Sequence, residues 1–207
     1  EAFKKITFGD EDVNVTGLKA HILMASIDHN FSESTKGKAT FFHGDYDKSY
    51  QNFYASGYNE ASAPNEVTLD GYVDTTQREN TVLSGNLVNE STLGGMQHRF
   101  LAGAEFVKTR SDQDRWNTFW SATADDKETF FVNRPLQVLG GIGVNSSGAP
   151  TTNDFYVDLN DDTQVSIDVY SAFIQDEISI TEKFDIVLGA RFDHFAIDVF
   201  NVPNNDE

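Results

Sequence analysis

The sequence predicts an all-β fold, an antiparallel transmembrane β-barrel segment of about six strands. Three observations carry this reading: apolar residues recur every second position along most of the chain, the alternating runs are long, and the connections between them alternate short with long. Helical spacing seldom persists for more than one turn. The longest apolar runs, such as Ile22-Leu23-Met24-Ala25, are far too short for a membrane-spanning helix, which needs ~18 to 20 apolar residues.

The elements follow in order. A first run, Ala20 to Phe31, ends at Ser32-Glu33-Ser34-Thr35-Lys36-Gly37, a polar cluster with a turn-forming glycine. A second run, Lys38 to about Tyr54, leads into a longer connection from Ala55 to Glu66 marked by Gly57, Asn59, Pro64 and Asn65. A third run, Val67 to about Val88, turns back at Asn89-Glu90-Ser91-Thr92-Leu93-Gly94-Gly95. The fourth is the clearest, with His98, Phe100, Ala102, Ala104 and Phe106 on one face and Arg99, Leu101, Gly103, Glu105 and Val107 on the other. Alternation then lapses over 117–164, read as a long extracellular loop. A fifth run, Val165 to Ile180, turns at Thr181-Glu182-Lys183 into a sixth, Phe184 to about Val202, and a further connection is expected from Pro203.

Runs of roughly 14 to 20 residues exceed the usual strand length of about 5 to 6. A membrane barrel explains both the length and the rhythm, since its turns are short on one side and its loops long on the other. Aromatics near the run ends, Phe31, Tyr54, Tyr72, Trp116, Tyr170, Phe184 and Phe200, fall where interfacial girdles belong. Alternation alone is shared with a soluble β-sandwich; run length and rhythm separate the two. Six strands are too few to close around a filled interior, which takes ~8, so the chain is expected either to be part of a larger barrel or to assemble with copies of itself, the ends of the sequence favouring the former. The start at Glu1-Ala2-Phe3 and the end at Asn205-Asp206-Glu207 read as a segment of a longer protein.

Composition narrows the function. Fifteen Lys and Arg stand against 33 Asp and Glu, a net charge of -18, which removes nucleic-acid phosphate as a partner. The absence of Cys removes disulfides, thiolate metal sites and cysteine nucleophiles. The five histidines show no metal-ligand spacing, and Asp158-Leu159-Asn160-Asp161-Asp162 lacks the turn glycine and terminal glutamate of a calcium loop, so no metal and no cofactor are expected. No Gly-x-Ser-x-Gly elbow is present, so the reading is not an enzyme.

Within the fifth and sixth runs, Phe173-Ile174-Gln175-Asp176 followed after a turn by Leu188-Gly189-Ala190-Arg191-Phe192-Asp193 resembles the mid-barrel hairpin of TonB-dependent outer-membrane receptors, especially siderophore receptors. The fourth run, His98 to Phe106, is similar to the strand that precedes a large extracellular loop in that family. The likeness covers most of the chain from about residue 18, most strongly over 165–198. It implies a 22-stranded barrel filled by an amino-terminal plug, in the outer membrane of a Gram-negative bacterium. The implied function is uptake of ferric siderophores, with energy delivered by TonB through parts of the receptor outside this chain. On this reading residues 1–207 are a partial barrel domain without the plug, set among outer-membrane lipid and lipopolysaccharide.

Lys108, Arg110, Arg115, Trp116, Phe119, Trp120, Phe130, Phe131, Arg134 and Tyr156 form a cationic and aromatic group in and beside the long loop. Arg for charge and Trp for stacking suit a bulky chelate, and Arg115, Trp116, Trp120 and Arg134 are the expected ligand set. Arg99, Glu105, Glu177, Arg191 and Asp193 are expected in the lumen, pairing across strands or contacting the plug, with structural pairing favoured over ligand binding. The competing readings are a soluble carbohydrate-binding domain using Trp116 and Trp120, an outer-membrane hydrolase, and a passive porin.

Overall fold

The computed structural model describes residues 13–132 and 142–202. Among them the chain forms eight strands and no helix: β1 (Thr16–Asn30), β2 (Thr35–Asn59), β3 (Glu66–Leu93), β4 (Met96–Trp120), β5 (Glu128–Phe131), β6 (Ile142–Val144), β7 (Pro150–Thr181) and β8 (Phe184–Val202). The six long strands pair in chain order as an antiparallel meander, β1-β2-β3-β4-β7-β8. The two short ones belong to the long connection: β5 extends along β3 where β4 has stopped, and β6 pairs with the start of β7. All six expected runs are therefore strands. The expected connection beyond Pro203 lies outside the described residues.

The tight ends are built as the sequence chemistry requires. Gly94 and Gly95 join β3 to β4 with φ of 58° and 83°, the left-handed pair that a two-residue hairpin needs and that only glycine adopts without strain. Thr35 closes the β1–β2 turn by accepting the Phe31 amide at 2.9 Å.

Register gives the sheet two unlike faces. Leu23, Ala25 and Ile27 of β1 share a face with Phe41, Leu83, Leu87, Phe100, Ala102, Ala104 and Phe106, and across β7 and β8 with Tyr170, Ala172, Ile174, Leu188, Ala190 and Phe192. These side chains are not packed into a core: Leu23 is 60% exposed and Phe192 68%. Between His98 and Lys108 this face of β4 is wholly apolar. That length rises about 34 Å along the strand, or about 24 Å along a membrane normal at a ~45° tilt, the height of a hydrocarbon-facing band.

The other face carries most of the charge, although Asp176 lies on the apolar side opposite Phe100 and meets His98 at 2.8 Å. Arg191 meets Glu105 at 3.4 Å and Asp193 at 2.9 Å, Arg99 lies 3.8 Å from Glu90 and 4.0 Å from Glu177, and Ser171 donates to Asp193. The five residues expected to pair across strands do so. Apolar side chains also reach this face at the outer strands, as Ile22, Met24, Phe195 and Ile197, where the sheet has a partner on one side only. β1 and β8 end the sheet, and each leaves one edge unpaired among the described residues.

Toward the long-loop end the buried core finally appears. Val13, Phe53, Val67, Leu69, Val73, Trp120, Phe130 and Phe155 cluster there, on the side that carries the apolar band lower down. Trp120 packs between Phe53 (ring centroids 5.5 Å) and Phe130 (5.3 Å).

Pairing also extends further than the segment 117–164 read as loop. β4 stays hydrogen-bonded to β7 until Trp120 meets Asn153, and β7 is continuous from Pro150, so the excursion is confined to the residues between. Register shifts at Arg115/Trp116 and Asn117/Phe119 break the two-residue period, and much of the stretch beyond the apolar band is polar on both faces. Such a strand carries no hydrophobic alternation to read.

Candidate functional site

Beyond the band, the polar face gathers an aromatic and charged group from β2, β3 and β4. Register sets Tyr50 opposite Asp74, Asp74 opposite Arg115, and Arg115 opposite Asp161, in one row across four strands. The Arg115 guanidinium grips Asp74 with two parallel hydrogen bonds, Nε to Oδ1 at 2.6 Å and Nη2 to Oδ2 at 2.7 Å. It also lies over the Tyr72 ring, 4.7 Å from its centroid. Tyr72 in turn contacts Tyr50 (5.8 Å) and Tyr54 (6.1 Å).

Tyr54 donates its hydroxyl to Asp70 at 3.0 Å, and Asp70 lies 3.6 Å from the Lys127 ammonium, which also holds Asp126 at 3.2 Å. Lys127 arrives from the excursion after β4, which Thr118 pins by donating to the Gly71 and Asp126 carbonyls at 3.2 and 2.8 Å. The loop thus supplies one charge and the strands supply the ring platform.

Electrostatics keep the group in a defined protonation state. Burial, then Asp70, raises the Tyr54 phenol above its ordinary value, and burial, then Tyr50 and Asp74, does the same for Tyr72. Both remain hydrogen-bond donors at neutral pH. The bond to Asp74 raises Arg115, and bonding to Asp126 raises Lys127, so both stay cationic. An open recess of about 540 Å³ is lined by Lys48, Tyr50, Tyr72, Asp74, Arg115 and Asp161. A larger groove of about 860 Å³, walled by Tyr46, Arg78, Ser111, Val165 and Val199, continues from it toward the short-turn end.

The expected ligand set is dispersed by the fold. Arg115 is on the polar face in this recess. Trp116, one residue on, is on the opposite face, set edge-on to Tyr156 at 6.0 Å and packed on the core. Trp120 is 1% exposed, so it presents no ring to a ligand and instead holds the excursion against the wall. Phe130 shares that core, Arg110 pairs with Asp168 at 3.7 Å on the band side, and Arg134 lies outside the described residues.

Tyr54 and Tyr72, expected in an interfacial girdle, stand far past the band on the polar face, whereas Tyr170 and Phe31 do lie on the band side. The sequence signal for the tyrosine group was parity: Lys48, Tyr50 and Tyr54 fall on one face of β2, and Tyr72 and Asp74 on one face of β3. Its alignment with Arg115 required the register. Asp158, Asn160 and Asp162 lie in extended strand rather than a wrapped loop, and Asn117 donates to Asp158 at 3.1 Å.

Residues 5–206 match the family described as TonB dependent receptor-like, beta-barrel. No curated protein matches the chain. Among solved structures the chain is similar to BauA, the ferric preacinetobactin receptor from Acinetobacter baumannii, with 14% identity and a TM-score of 0.62. That likeness covers 89% of this chain and 25% of the other, so the chain spans about a quarter of the length of the structure it matches, and at this identity the likeness speaks for the fold.

Proposed function

From the premise that this chain belongs to the TonB-dependent receptor-like β-barrel family, we propose that it forms part of the wall of an outer-membrane receptor taking up a ferric siderophore. The family is one of receptors, not enzymes. In this reading the apolar face meets outer-membrane lipid and lipopolysaccharide of a Gram-negative cell. The polar face lines the lumen, and the long-loop end is extracellular. Parts of the receptor beyond this chain engage TonB.

The observation that carries the reading is the recess on the polar face, where Arg115 and the Tyr50, Tyr54 and Tyr72 rings face the lumen above a charged barrel wall. Cation and rings on a rigid strand platform suit a bulky, oxygen-rich chelate arriving from outside. Arg115 contacts the cargo, Arg134 stays in the proposed ligand set, and Trp116 and Trp120 contribute by holding the loop from the opposite face. A passive porin would need no such recess.

The test is uptake of iron-55 loaded siderophores by cells producing the parent receptor, comparing wild type with Arg115→Ala and Tyr72→Ala at equal outer-membrane abundance. Loss of binding and uptake in both variants is expected. Unchanged uptake in both would remove the recess from the transport path.

A further inference from the structure

Resting on the receptor reading above, we propose that the cargo is a neutral or singly positive ferric chelate of the hydroxamate class rather than a triply negative catecholate. The argument begins with which charges on the lumen wall are already spent. Arg115 directs two donors at both oxygens of Asp74, at 2.6 and 2.7 Å. Lys127 sits between Asp70 and Asp126, at 3.6 and 3.2 Å. Arg115 and Lys127 are thus each matched by at least one carboxylate, and no net positive charge is left over from these pairs.

The same row of the sheet then adds acid. Register places Asp161 beside Arg115 and Asp158 beside Asn117, both on the lumen side, and Asp158 is held by the uncharged Asn117 amide at 3.1 Å. Against them stand Lys48 and, in the adjoining groove, Arg78, neither of which makes an ion pair among the described residues. The balance is acidic, in a chain whose net charge is -18. A concave surface of one sign concentrates ligands of the opposite sign and repels those of its own.

Beside these charges, the remaining groups for recognition are uncharged. The Tyr54 hydroxyl is taken by Asp70 at 3.0 Å, so the O–H donor for the oxygens that ring a chelated ferric ion comes from the Tyr50 and Tyr72 pair, where burial, then Tyr50 and Asp74, keeps Tyr72 protonated. A neutral trihydroxamate takes those hydrogen bonds without bringing charge into the recess. A singly positive one adds attraction to Asp158 and Asp161. A triscatecholate would stack on the same rings, but it would bring three negative charges against carboxylates whose cationic partners are already engaged, and discrimination follows from that repulsion.

The full-length parent receptor, purified in detergent, is titrated with ferrichrome (neutral trihydroxamate), ferrioxamine B (singly positive trihydroxamate) and ferric enterobactin (triply negative triscatecholate), at low and high salt, following intrinsic fluorescence. Both trihydroxamates are expected to bind at least about tenfold more tightly than the triscatecholate. Ferrioxamine B should weaken as salt rises, and the double variant Asp158→Asn, Asp161→Asn should narrow its lead over ferric enterobactin. Equal or tighter binding of ferric enterobactin overturns the charge assignment and leaves the receptor reading standing. Failure of a folded receptor to bind any of the three overturns both.

Discussion

Placing an arginine at Ala104 tests the assignment of faces most directly. Ala104 lies on the apolar side of β4, in register with Gly85 on β3 and Ala172 on β7, so small neighbours leave room for a long side chain. Along the band from His98 to Lys108 it sits about 10 to 14 Å from either edge at a ~45° tilt, close to the hydrocarbon midplane. An arginine there costs about 2–4 kcal/mol, roughly a hundredfold in the folding equilibrium at the middle of that range. Asn86 is at the same height on the next strand, opposite Gly103, and faces the polar side. Asn86→Arg therefore meets water and charged partners and should cost under about 1 kcal/mol.

Ala104→Leu adds bulk without charge and should be close to neutral, which separates solvation from volume. The assay is denaturant titration of the full receptor refolded into phospholipid vesicles, followed by the heat-modifiable shift of the folded barrel on gels. If Asn86→Arg cost as much as Ala104→Arg, or the order were reversed, the assignment of lipid and lumen faces would be wrong.

Three further outcomes follow from the same geometry. Trp120→Ala empties the centre of the long-loop core and should cost that region about 3–5 kcal/mol; protease nicking of the excursion on intact cells should rise while the barrel stays inserted. A double-mutant cycle on Arg115 and Asp74 should give a coupling of about 1 kcal/mol despite the two short bonds, because both side chains are substantially exposed; additive single variants would refute the pairing. Burial, with Asp162 and Asp112 nearby, holds the Asp114 carboxyl above its usual range. A carboxyl raised in the native state binds its proton more tightly folded than unfolded, so its contribution to stability is greatest at acid pH and is lost as pH rises through the raised value. Asp114→Asn should therefore raise the thermal stability of the full receptor at pH ~7 and reduce its gain on acidification toward pH ~4, read by melting curves across that range.

The alternation His98, Phe100, Ala102, Ala104, Phe106 states the face of each residue of β4 up to the register shift at Arg115, because a strand's side chains alternate whatever lies beside it. The same holds for Ile186, Leu188, Ala190 and Phe192 against Arg191 and Asp193 on β8. Strand identity, the short turns, the two faces and the charged pairs of the wall were therefore legible residue by residue. The stretch from Pro150 to Gln164 was not, since its strand lies past the apolar band, where little hydrophobic contrast remains between the faces.

The recess was decided between strands. Tyr50, Asp74, Arg115 and Asp161 are scattered along the sequence, and only the register of three strand pairs brings them into one row. Trp116 and Trp120 have the composition of ligand-stacking residues, yet the loop folds back over them and makes Trp120 a core side chain. Periodicity is a local property written along one strand, whereas a site assembled across strands depends on register and on which side a loop closes, and both are fixed by packing among residues far apart in the chain.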